Sequence, residues 1–569
     1  MKKLKVLLLL FVSFLTLNSG MAWADTVPGD TVTADDYELE EVVVTNQGGV
    51  RKLKSLPTNT DWVTKAELLR AACCNLGESF TTNASVDVNY SDAATGARQI
   101  RLLGLSGTYV QMLTENIPNL RGASSPYALG YIPGSWMQSI QVSKGASSVK
   151  NGYESITGQI NVEFLKPQAD QSVSANAYVD MFGKAELNAA GNIHISRGWS
   201  TGLLLHGENA FASHDENNDG FIDLPAIRQF SAFNRWAYMS QRYIFQAGLR
   251  YLIENRKSGQ HSPRNHEHET NQPEPFRIGI DTQRWEFFAK NAYFLDIENE
   301  SNIALILSAS THSEDADYGH KLYDVVQDNI YASLVYERKW RDGLHGLSTG
   351  LSLNFDRFNQ QFRLGNDTEV APAKEISRET VPGVYAQYTF DLNSKLILMG
   401  GIRYDHSSVY GSMVTPRFHA RTNLLDGALS FHASVGRGYR SPHPLAENHF
   451  YMASSRQIVI GSDLRQEVAM NYGGGLSGSV SVGGRNLDYS GEFYYTRFSH
   501  QLLVDLETDP HAVIIKDSGN KPNFSRTLQL EVSYPVLTDL LLTAAYRFTD
   551  VKVDYGFGLV TKPLTSKNK

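Results

Sequence analysis

Beyond Pro167 the chain settles into segments of about ten to fourteen residues in which apolar and polar side chains alternate. Clusters of turn-forming residues separate them. In 243–253 one face carries Phe245, Ala247, Leu249, Tyr251 and Ile253, and the other Gln246, Gly248, Arg250 and Leu252. The same period recurs in 383–390, with Val384, Ala386, Tyr388 and Phe390 opposing Tyr385, Gln387 and Thr389, and again in 542–548. A period of two means β-strand, and one polar face repeated strand after strand describes a membrane barrel with a wet interior. A β-sandwich alternates in the same way, but its strands are shorter and its loops more even. Here short turns at 197–200, 297–301 and 341–346 alternate with long polar stretches near 214–229, 257–281 and 363–380. That is the pattern of short periplasmic turns and long extracellular loops. Aromatic residues make up 11% of the chain, with 28 Tyr and 26 Phe, as interfacial girdles of a barrel require.

The N-terminus reads as an export signal. Lys2, Lys3 and Lys5 precede an apolar run over 6–17, and Ala22-Trp23-Ala24 supplies a small-x-small cleavage site, giving a signal peptide over 1–24. No later apolar run reaches the ~18 residues of a membrane helix. A formal net charge of −8 argues against nucleic acid as a partner. Residues 25–38 are acidic and polar, suited to a flexible lead-in.

Between about 50 and 167 the texture is that of a compact α+β unit. Residues 64–71 predict a short helix with Thr64 as N-cap and Glu67 completing a capping box. Short strands are expected at 86–88, 99–103 and 110–113, and a turn at 115–118. The stretch 140–164, IQVSKGASSVKNGYESITGQINVEF, reads strand, loop, strand, punctuated by Gly145, Gly152 and Gly158.

This last stretch strongly resembles the end of the plug domain of TonB-dependent outer-membrane receptors. Leu39, Glu40, Glu41, Val42, Val43, Val44 and Thr45, on a tether ahead of it, resemble a TonB box, the segment that pairs by β-augmentation with the periplasmic energy transducer. There are departures. Residues 83–86 replace the family's Pro-Gly-Val, Leu103 stands where the family has Arg, and Glu115-Asn116 replaces Asp-Gly. The missing Arg puts one plug–barrel contact in question, with Arg98 or Arg101 as substitutes. The resemblance implies a membrane β-barrel with an N-terminal α+β plug domain inside the lumen. Its expected divisions are a flexible segment over 25–49, the plug over 50–167 and the barrel over 168–569. The family uses about 22 strands, whereas roughly seventeen alternating segments are counted here. The chain ends without a terminal aromatic strand, so the expectation is a barrel short of about five strands at its C-terminus, a smaller even-stranded barrel being the alternative.

Several clusters could carry chemistry. Asp215, Asn217, Asp219, Phe221 (through its carbonyl) and Asp223 fit the first nine positions of a calcium loop, with Gly220 at the sharp turn. Ala226 occupies the place of the bidentate Glu, which excludes a complete EF-hand. His261, His266 and His268 crowd one polar loop, where imidazoles could meet a metal complex. His443 and His449 lie between two family-wide barrel patterns, 436–442 and 461–467. Cys73 and Cys74 are adjacent, which excludes a disulfide framework and leaves either soft-metal capture or packing on a plug helix. No spacing suggests a catalytic triad or carboxylate pair, so an enzyme is not expected. The resemblance implies energy-coupled uptake of a scarce ligand, most of all a ferric siderophore, with haem, cobalamin or another metal complex as alternatives. A passive channel and an outer-membrane hydrolase are the rival classes. The implied partners are the transducer, the ligand and outer-membrane lipid. No cofactor is required, and Ca²⁺ is the candidate bound ion.

Overall fold

A computed structural model of the chain describes residues 51–52, 56–70, 74–81, 83–167, 172–260, 275–425, 428–537, 540–562 and 565–569. The export signal, the 39–45 box, Cys73, and His261, His266 and His268 lie outside these residues.

The N-terminal unit is built on a six-stranded sheet, ordered Arg51–Lys52, Asn59–Thr64, Met137–Lys144, Gly158–Phe164, Val110–Thr114, Ile117–Pro118. All neighbours are antiparallel except Val110–Thr114 with Gly158–Phe164. The alternating apolar positions of the signature stretch form its centre, with Ile140, Val142, Ile160 and Val162 fully buried. The helix Lys65–Arg70 starts where the capping pattern places it, and Thr64 Oγ1 accepts the Glu67 N–H at 3.4 Å. A smaller sheet, Val86–Asp92, Ala97–Leu102 and Leu105–Ser106, packs beside it.

Two glycines explain why the loop 145–158 has its spacing. Gly145 has φ +79°, and a Cβ there would meet Tyr494 Cε1 of the barrel wall at 2.8 Å. Gly158 has φ +155°, and a Cβ would strike the Ser143 carbonyl at 2.2 Å. Both positions need positive φ and close approach together.

Most of the described residues beyond 167 form one 18-stranded sheet, from Ser172–Val179 to Leu559–Thr561, in which every neighbour is antiparallel. Strands follow in chain order, except where Gln457–Ile460, Leu502–Asp505 and Ala512–Asp517 leave the wall to form a small sheet of their own. The outward and inward sets fall where alternation puts them: Arg250 and Leu252 are buried, while Ile253 is 39% exposed. No helix among the described residues is long and apolar enough to cross a membrane.

The long polar stretches are shorter than the sequence suggests, because the strands continue into them. Arg277–Asp296 and Lys321–Trp340 each run 20 residues, and Ala373–Leu392 begins well inside the expected loop. On Arg277–Asp296 the outward side chains Arg277, Asp281 and Gln283 are polar, and Trp285, Phe287, Tyr293 and Leu295 are apolar or aromatic. Pairing persists where the lipid-facing alternation has stopped, so hydropathy alone reads the upper strand as loop.

The barrel–plug contact in question at Leu103 is not restored by Arg98. Its guanidinium stays within the plug, beside Glu78 at 3.6 Å and on the Tyr90 hydroxyl. Other pairs fasten the plug. Lys144 Nζ lies 2.6 Å from Glu492 and 3.1 Å from Asp61, Arg121 meets Asp356, and Asp87 meets Arg547.

Candidate ligand cavity and plug–wall contacts

The polar inner face of the wall determines what the lumen can do. Inward positions of successive strands bring Gln229, Glu254 and Arg256 to the same height, and the plug turns Tyr90, Arg98, Pro126 and Tyr127 towards them. Between them lies a cavity of about 640 Å³, bordered at its outer mouth by the 211–225 connection and by Tyr178, Asp180 and Phe182. Its volume is within the range of small-molecule sites. Arg256 stacks over Tyr127 at 4.6 Å, and Arg98 over Tyr90 at 4.6 Å. Cys74 borders the cavity beyond the end of the helix Lys65–Arg70, not on it. Burial first, then Glu186 and Glu78, push its thiol up to about 12, so it stands as a neutral thiol.

Two smaller cavities lie apart from it, the first between plug and wall and the second among wall residues and their connections. One, about 90 Å³, is bordered by Arg98, Arg121, Glu154, Arg440 and His443. The other, about 310 Å³, is bordered by Asp356, Glu375, Arg378, Glu379 and His443.

The residues singled out from sequence are distributed unevenly over this geometry. His443 borders both smaller cavities and lies against Phe358, with ring centroids 4.4 Å apart. Burial lowers its pKa to about 4 against the opposing pull of Asp356. His449 borders none of these three cavities. It is fully buried, stacked on Tyr323 at 4.8 Å, with Nδ1 at 2.9 Å from the Tyr318 hydroxyl and Nε2 at 3.2 Å from Glu314. Burial lowers its pKa to about 3. Asp215, Asn217, Asp219, Phe221 and Asp223 do share one loop beside the large cavity. Their carboxylates face the loop's own backbone: Asp215 accepts the Asp219 and Gly220 N–H groups, Asp219 that of Phe221, and Asp223 that of Glu216. Among the described residues no group of three or more His, Cys, Asp or Glu is gathered closely enough to hold a metal ion.

Sequence reasoning missed the residues that join plug to wall. Glu115 Oε1 sits 3.0 Å from Arg235 Nη1, and Lys290 Nζ is 3.7 Å from Oε2. Burial pulls the Glu115 pKa upward, but Arg235 and then Lys290 overcome it and hold the carboxyl at about 2. Arg417 spreads its guanidinium over the carbonyls of Ser147, Ser148, Tyr153 and Ser155 at 2.8–3.3 Å, clasping the glycine-punctuated loop. The one available signal was an Arg or Glu on the inward phase of a strand. That phase marks many residues and selects none.

Comparison with known families and structures agrees with this architecture. The family model for the TonB-dependent receptor plug domain matches residues 52–159, and that for the TonB-dependent receptor-like β-barrel matches residues 276–566. Among solved structures, the ferric enterobactin receptor PfeA from Pseudomonas aeruginosa is 12% identical, covering 86% of this chain and 79% of its own, with a TM-score of 0.65. The siderophore receptor PirA from Pseudomonas aeruginosa is 11% identical, covering 87% of each chain at a TM-score of 0.62. The alcaligin outer-membrane receptor FauA from Bordetella pertussis is 15% identical, covering 89% and 82% at a TM-score of 0.64. At these identities the likeness is one of fold.

Proposed function

The chain belongs to the TonB-dependent receptors, the plug-and-barrel proteins of the Gram-negative outer membrane, and on that premise we propose that it imports a ferric siderophore. The family is one of receptors and transporters rather than enzymes. The observation that carries the proposal is the shared lining of the large cavity: wall residues Gln229, Glu254 and Arg256 face plug residues Tyr90, Arg98 and Tyr127 across it. A ligand seated there touches both bodies at once. Its binding energy can therefore bias how the plug sits in the wall, which a site on either body alone could not do.

The plug is fastened by charged and hydrogen-bonded pairs, among them Glu115–Arg235, Lys144–Glu492 and Arg417 on four carbonyls. Water can replace such contacts one by one, so an external pull can loosen the plug. In this reading the segment 39–45 supplies the handle, pairing as an added strand with the periplasmic transducer. Binding gives specificity, and the transducer gives the work that releases a tightly held cargo. The similarity in fold to siderophore receptors supports the choice of cargo, with haem and cobalamin complexes as the alternatives to be tested beside it.

The test is uptake of radiolabelled ferric siderophores, haem and cobalamin by cells carrying the full-length protein or a variant lacking 39–45. Uptake of a ferric siderophore that depends on the segment supports the proposal. Flux that persists without it would indicate a passive channel.

A further inference from the structure

The lining of the large cavity carries more information than its size. Among the described residues it contains six carboxylates, Glu78, Asp180, Glu208, Glu216, Asp223 and Glu254, but three permanent cations, Arg98, Lys184 and Arg256. Each cation already has a partner within the lining. Arg98 lies 3.6 Å from Glu78, Lys184 lies 3.4 Å from Glu208, and Arg256 lies 2.5 Å from Glu254. Three carboxylates remain without a cation of their own in that lining: Asp180, Glu216 and Asp223, all at the outer mouth. Backbone N–H groups hold two of them in place. Asp180 Oδ1 accepts from Phe182 and Lys184 at 2.9 Å, and Asp223 Oδ2 accepts from Glu216 at 2.8 Å. Such bonds fix a carboxylate without cancelling its charge.

Two further observations point the same way. Gln229, only 6% exposed, gives its amide N–H groups to Glu254 at 2.6 Å and the Gly130 carbonyl at 3.2 Å. Gln229 borders the cavity, and its buried Oε1 has no hydrogen-bond partner among the described residues, an acceptor without a donor. Beside Asp180, Tyr178 and Phe182 are 40% and 53% exposed, and their rings offer faces of negative potential. The guanidinium groups of the smallest cavity are also taken: Arg121 by Glu154 at 2.6 Å and by Asp356, Arg440 by Glu447 and Glu467. In the third cavity Arg378 is outnumbered by Asp356, Glu375 and Glu379.

We infer that this site selects a neutral or cationic metal complex carrying hydrogen-bond donors, and rejects polyanionic ones. The inference rests on the transport reading above and specifies the charge class of its cargo. A ferric tris-hydroxamate with an ammonium tail suits the lining: the cation meets the carboxylates at the mouth, and its amide N–H groups are donors of the kind the Gln229 acceptor lacks. A trianionic ferric tris-catecholate brings like charge to the carboxylate mouth and finds no unpaired guanidinium in the large cavity or the smallest one among the described residues, and repulsion at such a mouth is only partly screened by salt.

The experiment uses the purified full-length protein, with tryptophan fluorescence quenching as the readout. The probes are ferrioxamine B, a singly cationic hydroxamate, and ferric enterobactin, a trianionic catecholate. Ferrioxamine B is expected to bind with a Kd at least about tenfold lower. The combined variant Asp180→Asn, Glu216→Gln, Asp223→Asn is expected to shrink that ratio to about threefold or less. A heat-modifiable barrel band on gels confirms that this variant folds. Ferric enterobactin binding as tightly as ferrioxamine B overturns the inference and leaves the transport reading standing, as does a ratio untouched in the folded variant. Binding of neither complex overturns the siderophore reading itself and the inference with it.

Discussion

Glu115 of the plug and Arg235 of the wall lie 3.0 Å apart with each side chain 2% exposed, 120 positions apart in sequence. The guanidinium sits near the rings of Phe233 and Phe288, at 5.4 and 5.9 Å, and Nη1 also donates to the Phe164 and Leu165 carbonyls. The pair thus fixes the end of the central plug strand Gly158–Phe164 against the barrel. An ion pair this buried adds little against an apolar substitute, but losing one partner leaves the other charged with no compensation.

Glu115→Gln should therefore lower the stability of the plug within the barrel by about 3 kcal/mol or more. Thermal melting of the plug, followed through the buried Trp136, measures it. Glu115→Gln combined with Arg235→Met should recover much of the loss.

Acid should act in two overlapping windows. His449 is depressed from 6.5 to about 3, so the folded form resists a proton that the unfolded chain accepts. Stability is then lost as pH falls below about 6.5 and continues to fall until about 3. Glu115 is depressed from 4.5 to about 2, and its contribution, full above 4.5, is lost as pH falls towards 2. In melting curves taken across pH, His449→Phe should make the first window shallower without abolishing it, because His443, lowered to about 4, contributes over the same range, and should leave the Glu115 contribution in place.

Gly145→Ala should cost about 1–3 kcal/mol, since φ +79° and a 2.8 Å contact with Tyr494 both oppose a methyl group. Tyr494→Ala in the same chain relieves the contact but not the backbone strain, so rescue in melting temperature should be partial.

Arg417→Lys retains charge but cannot reach four carbonyls from one planar group. Protease cleavage within 145–158 should accelerate by roughly tenfold or more, while the barrel band on gels stays unchanged.

Strand texture and the plug signature were legible in the sequence because both are local. A period of two shows in any ten residues, and Gly145 and Gly158 must be glycine wherever that loop is built. What joins the two bodies was not legible. Arg235, Arg250 and Arg403 all sit on inward phases, and only the register of the wall around the plug decides which meets Glu115. His449 shows the same limit from the other side. Its spacing relative to a family-wide pattern suggested ligand contact, yet Tyr318, Tyr323 and Glu314, from other strands, enclose it. The charge balance of the cavity is likewise a property of neighbours brought together from five separate stretches of chain.

The 20-residue strands have a consequence for how this wall can change. At ~3.4 Å per residue and a tilt of ~45°, such a strand climbs roughly 50 Å, about twice the ~25 Å apolar band of an outer-membrane barrel. On Arg277–Asp296 the outward side chains turn polar above Trp285, so the upper half stands in water as a crown of paired strands. Substitutions there escape the cost of burying polar groups in lipid, and the large cavity opens beside the corresponding ends of the neighbouring strands Ala226–Met239 and Tyr243–Gly259. Cargo preference can therefore drift in the crown while the membrane-embedded half stays constant.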